Sequence, residues 1–274
     1  MSSTDNPLSH DAKALASVES SMAEPLAAQP PSEKDRLPWG LWDVIIIAVV
    51  AVIAIGLFSM LALGVALHSQ PGATPADVAR NPRVVIPSQF AAYIVVVLFM
   101  VKLLRSRGWR FWTAIEWRWP QATWIGWLVL GFALALVVQG ASALLPVPKS
   151  LPIDRYFRDT LGAYMMAVFG LTFAPLVEEL FFRGFLYPAL QRRWGAAVGV
   201  VITSALFAFI HESQLAHAWA PLLLLFFVGV VLTVMRARTG SVATGVLIHI
   251  GYNGMLFGML YVASDHFRHF EKLG

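Results

Sequence analysis

The sequence predicts an all-α protein: a polytopic transmembrane helical bundle of about seven membrane helices, with room for an eighth, behind a disordered N-terminal tail. Three observations carry this. Hydrophobic residues make up 58% of the 274 positions. Charged residues are scarce, 20 basic and 16 acidic, where a soluble domain has roughly a quarter of its residues charged. The apolar residues lie in continuous runs without two-residue alternation, which favours helices, and a lipid-spanning segment must be a helix or a closed barrel. This composition excludes an ordinary soluble domain. It also excludes a wholly disordered chain, which lacks such apolar surface. Cys is absent, so disulfides, thiolate metal sites and cysteine nucleophiles are excluded. The small positive excess is weak evidence for nucleic acid, and no nucleic-acid partner is expected.

Residues 1–37 hold nine of the charges among Ser, Ala and Pro. Without apolar periodicity they read as a disordered tail. They lack the basic start of a signal peptide. Seven apolar spans follow: Leu41–Leu67, Ser88–Val101 (with a start as early as Val84), Thr123–Leu145, Leu161–Leu190, Ala196–Ile210, Pro221–Met235 and Val242–Val262. Crossing a ~30 Å hydrocarbon core takes about 20 helical residues, fewer where the bilayer thins. The expected organisation is the tail (1–37), N-terminal membrane helices with an interfacial segment (38–160), a membrane core (161–263) and a C-terminal tail (264–274). Arg107–Trp119 interleaves Trp and basic residues, as membrane–water interfaces do. With the N-terminus inside, inner segments hold twelve basic residues and outer ones seven. The expectation is therefore an integral protein of the cell membrane with a cytoplasmic N-terminus.

Ionisable groups inside a bilayer are costly and mark function. Here they fall on three spans. The fourth carries Glu178, Glu179 and Arg183, the fifth ends in His211, and the seventh carries His249 with Asn253. Glu179 and Arg183 sit one turn apart with the acid first, the better order for an ion pair. His249 and Asn253 are likewise one turn apart. Phe207 lies one turn before His211 and should pack on its ring. Spans four and five should form a hairpin turning near Trp194–Gly195. Both Glu178 and His211 then lie roughly 24–26 Å from the turn. Pro175 should loosen or kink the fourth helix just ahead of the acids. Gly254 and Gly258 form a small-xxx-small pair that would allow a close helix approach.

A carboxylate beside an imidazole in a low-dielectric hollow can activate water. Glu178 is the expected general base, with His211 orienting the water or sharing its proton. Glu179 would pair with Arg183, so that the arginine is not left buried alone. His249 and Asn253 suit an oxyanion site. Together these groups would hydrolyse a peptide bond without a covalent nucleophile.

The segments Glu178-Glu179-Leu180-Phe181-Phe182-Arg183, Phe207-Ala208-Phe209-Ile210-His211 and His249-Ile250-Gly251-Tyr252-Asn253 resemble the three motifs of the CAAX protease and bacteriocin-processing family: E-E-x-x-x-R, F-x-x-x-H and H-x-x-x-N. The resemblance covers roughly Leu161–Val262. It implies an intramembrane endopeptidase of the type II prenyl-protease kind, a helical bundle with a sunken site, and the roles given above for Glu178, Glu179, Arg183, His211, His249 and Asn253. No cofactor is required in this reading. Zinc remains an alternative, since Glu178, His211 and His249 could supply three ligands with water as the fourth. His211-Glu212 does not begin an H-E-x-x-H site, because Leu215 stands where the second histidine belongs. The expected partners are membrane lipid and a peptide or protein substrate entering from the membrane. Other classes are a non-catalytic immunity or scaffold protein and a proton-coupled transporter. The latter should show inverted repeats with broken helices in both halves.

Overall fold

The computed structural model describes residues 38–148, 150–157 and 159–269, all within one unit that begins at Pro38. The tail expected over 1–37 lies outside them. Described residues contain helices and no strand. Among the described residues, the α-helices of seven or more residues are α1 Leu41–Ser69, α2 Pro82–Ser106, α3 Trp124–Ser142, α4 Thr160–Leu171, α5 Phe173–Glu179, α6 Tyr187–Trp194, α7 Ala196–Phe209, α8 Trp219–Thr239 and α9 Val242–Ala263. A π-helical stretch, Leu180–Leu186, joins α5 to α6. α1, α2, α3, the run Thr160–Trp194, α8 and α9 are each long and apolar enough to cross a membrane.

The outer face of α1 is as apolar as its inner face. Val44, Ile47 and Ala54 are buried, while Val52, Ile53, Leu57, Met60 and Leu61 point outward. A helix apolar all round suits lipid rather than water. Its polar start is held by Asp43, which pairs with Arg107 at the end of α2. The mutual charge–hydrogen bond strengthens the Arg107 guanidinium's hold on its proton. At the opposite end of α2, Asp159 caps α4 by accepting from Gly162 N at 3.0 Å and from Arg83 at 3.0 Å. The Gly162 amide, with Arg83 beside it, keeps that carboxyl below the usual carboxylate range.

Two sequence expectations, on the second helix and on the close glycine approach, need correction, and two are met. The second helix is longer than its apolar run, because Asn81 caps it and Pro82 fits the first turn. The fourth span is interrupted ahead of the acids, as expected of Pro175. It breaks at Thr172 (φ −121°, ψ −72°), where Pro175 cannot donate to Leu171, and it widens into the π stretch just after the acids. The fifth span, expected over Ala196–Ile210, is the 14-residue helix Ala196–Phe209, about 21 Å long. Finally, the close helix approach does not use Gly254 and Gly258. A methyl at Gly258 would meet nothing within 4 Å, and one at Gly254 only Leu171 at 3.7 Å.

The tight crossing joins α3 and α9 through Gly131 and Gly251. A Cβ at Gly251 would lie 2.1 Å from Leu128 O, and one at Gly131 2.0 Å from Ile248 O. Leu134, Ala135, Val138, Ile248, Tyr252 and Met255 pack around this crossing with Val228 and Leu232 of α8. Because backbone atoms block the added methyl, Gly251→Ala should cost at least the 1–3 kcal/mol typical of overpacking. Thermal unfolding in detergent measures it. Gly258→Ala, facing open space, should leave the melting temperature unchanged.

Residues 264–269 turn back onto the bundle. Phe267 is buried against Phe157, Ala163 and Ala167, and Thr160 Oγ1 donates to Phe267 O at 2.8 Å. On the opposite end, the Trp-rich segment is pinned beneath the α8–α9 turn. Ser241 Oγ donates to Arg118 O at 2.6 Å, and buried Arg236 pairs with Glu116. Trp112 and Trp119 stay exposed there, while Phe111 and Ile115 are buried.

Candidate active site

α5 ends on the two adjacent acids, and their roughly 100° separation around the helix gives them different surroundings. Glu179 is completely buried. Its Oε1 accepts from Arg183 Nη1 at 2.8 Å and from His249 Nδ1 at 3.1 Å. Arg183, equally buried, donates Nη2 to Gly229 O at 3.0 Å and Nε to Thr233 Oγ1 at 3.2 Å. The arginine thus ties the π stretch to α8 while neutralising Glu179. The second oxygen, Glu179 Oε2, has no hydrogen bond and rests against Gly245, where a Cβ would stand 2.6 Å from it. Only glycine at 245 leaves room for that carboxylate.

Glu178 faces the other way, into a cavity of about 790 Å³ that His211, His249 and Asn253 also line. No described residue hydrogen-bonds its carboxylate. The ionisable side chain nearest to it among the described residues is His249, whose Nε2 lies 3.9 Å from Glu178 Oε2. His249 therefore bridges the acids, donating to Glu179 and turning Nε2 toward Glu178. His211 is built the same way. Its Nδ1–H donates to Phe207 O at 2.8 Å, which fixes that tautomer and leaves Nε2 free as an acceptor. Phe207 is the hub between the motifs. Its ring lies 5.1 Å from that of His211 and 5.8 Å from that of His249, and the Arg183 guanidinium sits 4.6 Å from its centroid. Asn253 Nδ2 donates to Gly170 O at 2.7 Å, holding α9 against α4.

The structure thus brings Glu178, His211, His249 and Asn253 to one cavity and sets Glu179 and Arg183 behind it. His211 caps the short α7, and the chain turns at once into the 3-10 turn Glu212–Leu215. Asp154 of the loop before α4 and Gln214 border the same cavity. The hollow therefore reaches the end of the bundle remote from the Gly195 turn. Among the described residues no group of three His, Asp or Glu side chains stands close enough to hold a metal ion. The trio Glu178, His211 and His249 accordingly does not form a ligand set in this arrangement.

Reading the sequence for ionisable groups passed over two neutral polar residues of the cavity wall, Gln89 and Tyr93 of α2. Their signal is visible afterwards: a polar pair one turn apart, in Ser88–Val101, an otherwise apolar run.

Fold and site together define an integral membrane protein with a paired-acid and histidine cluster sunk in a helical bundle. Residues 160–255 match the family model described as "Type II CAAX prenyl endopeptidase Rce1-like", and this bears out the family resemblance read from the three motifs. The matched stretch contains all six motif residues. The match supports an intramembrane protease of the CAAX type and, at that level, a peptide hydrolase. A curated relative from Escherichia coli, described as an "Uncharacterized 24.3 kDa protein", is 35% identical over 138 residues, which is 49% of this chain and 58% of the relative. The alignment therefore spans little more than half the length of that relative. No solved structure matches.

Proposed function

We propose that the chain is an intramembrane endopeptidase that hydrolyses peptide bonds of membrane-associated substrates with a water activated by Glu178 and His211. The observation that supports it most is that an unpartnered carboxylate and an imidazole with a free Nε2, from two different helices, line one cavity. In this reading Glu178 takes the water's proton as hydroxide adds to the scissile carbonyl. His211 orients the water and helps return the proton to the leaving amine. Asn253 retains one amide N–H for the developing oxyanion. Glu179 and Arg183 act from behind by fixing His249. No metal takes part. The substrate enters from the membrane. The apolar wall of Ala48, Ala51 and Ile55 on α1 suits a lipid-bearing or apolar segment, in keeping with the prenyl endopeptidases after which the matching family is named.

The test is cleavage of a fluorogenic peptide with a farnesylated cysteine three residues from its carboxyl end, by purified protein in detergent. Wild type should cleave it and Glu178→Gln should not. Equal rates in the two proteins, or no cleavage by either, would favour the non-catalytic scaffold. A strong chelator should leave the rate unchanged, and loss of activity restored by zinc would sink the metal-free mechanism.

The proposal extends to orientation. With the N-terminus in the cytoplasm of a cell-membrane protein, Gln214 at the cavity end faces outward. Because the native chain has no Cys, single variants are clean reporters. Gln214→Cys should react with an impermeant maleimide on intact cells and Arg192→Cys only after lysis. The reverse pattern inverts the topology.

A further inference from the structure

The ring and amide N–H groups nearest the acid are already engaged, and this points to a further residue. An oxyanion site needs N–H or O–H groups aimed at the growing negative charge. His249 Nδ1 already faces Glu179 Oε1 at 3.1 Å, and His211 Nδ1 faces Phe207 O at 2.8 Å. Asn253 commits one of its two N–H groups to Gly170 O. Ser142, Tyr156 and Tyr252 also bring hydroxyls to this wall, and Tyr93 is set apart by the side-chain amide that orients it. Tyr93 of α2 accepts from Gln89 Nε2 at 3.2 Å, and its own O–H proton has no acceptor among the described residues. The ring is held 5.7 Å from that of Phe169 and 6.4 Å from that of Phe173, so the phenol is positioned by packing as well as by Gln89. Tyr93 and Glu178 line the same cavity.

Resting on the hydrolase reading above, we propose that Tyr93 is a catalytic residue that donates a hydrogen bond to the substrate carbonyl as it becomes the tetrahedral oxyanion, with Gln89 orienting its hydroxyl. The phenol keeps its proton throughout. The water's proton passes to Glu178, and the carbonyl π electrons settle on the oxygen that Tyr93 contacts. The residue lies outside both the three motifs and the matched residues 160–255. The N-terminal helices would thereby complete a site whose acid and histidines come from the C-terminal half. Tyrosine suits the position because its ring satisfies the apolar wall while its hydroxyl serves the reaction.

The experiment compares wild type, Tyr93→Phe, Gln89→Leu and Glu178→Gln on the farnesylated peptide. Tyr93→Phe keeps the ring and its packing, so its melting temperature should match wild type. Its kcat should fall about 10- to 100-fold with KM within about twofold, the pattern of a contact made only in the transition state. Gln89→Leu should show a smaller fall of the same kind. A non-hydrolysable phosphonate analogue of the peptide, tetrahedral and anionic at the scissile position, should bind Tyr93→Phe about 10- to 100-fold more weakly, while the unreactive ground-state peptide ether binds unchanged. A merely structural tyrosine would weaken both ligands or neither, and either result overturns the inference. If Glu178→Gln is inactive but Tyr93→Phe equals wild type, this inference falls and the hydrolase reading stands. If Glu178→Gln equals wild type, the hydrolase reading falls and takes this inference with it.

Discussion

An Arg183→Met variant should lose about 3–5 kcal/mol of stability together with the proposed peptidase activity. The guanidinium is wholly buried and makes three hydrogen bonds: to Glu179, to Gly229 O and to Thr233. Methionine fills much of its volume but leaves the Glu179 carboxylate in the interior with one oxygen already unpartnered and no neutralising charge. Such a broken pair costs far more than an absent one. Glu179→Leu/Arg183→Met should therefore recover much of the stability lost by the single variant. It should stay inactive, because His249 then has no acceptor for Nδ1 and its ring is no longer fixed. Unfolding in detergent measures the first claim and peptide cleavage the second. A single variant costing less than about 1 kcal/mol would mean that the pair is not the tie between the π stretch and α8.

Glu178 should behave in the opposite way. Its carboxylate has no hydrogen bond to a described residue, so Glu178→Gln should leave the melting temperature near wild type or raise it. Activity should nonetheless fall about 10²- to 10⁴-fold, the usual contribution of a general base. His211→Ala should fall comparably. Groups acting as a unit on one water are not additive, so the double variant should be no slower than the slower single one. Rate losses that multiply would assign the two residues to separate steps. The contrast is itself informative. Two adjacent glutamates would differ in what they do for the molecule, one governing folding through its neighbours and the other the chemistry alone.

Much of this architecture was legible in the residues. Seven apolar spans were located because in lipid length and hydrophobicity suffice to define a helix. The Glu179–Arg183 pair followed from helical spacing, as did the contact of Phe207 with His211. The equal reach of Glu178 and His211 from the Gly195 turn was simple arithmetic on helix rise, and both residues do line one cavity. What escaped the reading were features that depend on partners far along the chain. Gly251 and Gly258 are the same residue type on the same helix, yet only the former meets another backbone. Gln89 and Tyr93 carry no charge, so a search for charged groups passed them by. The contact of His249 Nδ1 with Glu179 Oε1 at 3.1 Å joins residues 70 positions apart, which helical spacing does not give.

The sequence by itself determined the class of the molecule. Scarce charge and long apolar runs admit no other solvent than lipid, and three short motifs fixed where the costly polar groups must gather. Only the tertiary structure decided which nitrogen each histidine offers to the cavity, which acid is sealed behind it and which is free, and that a helix from the N-terminal half joins the wall. Spacing along one helix sets only which side chains share a face. A hydrogen bond or a void is set by what the neighbouring helix brings to that face.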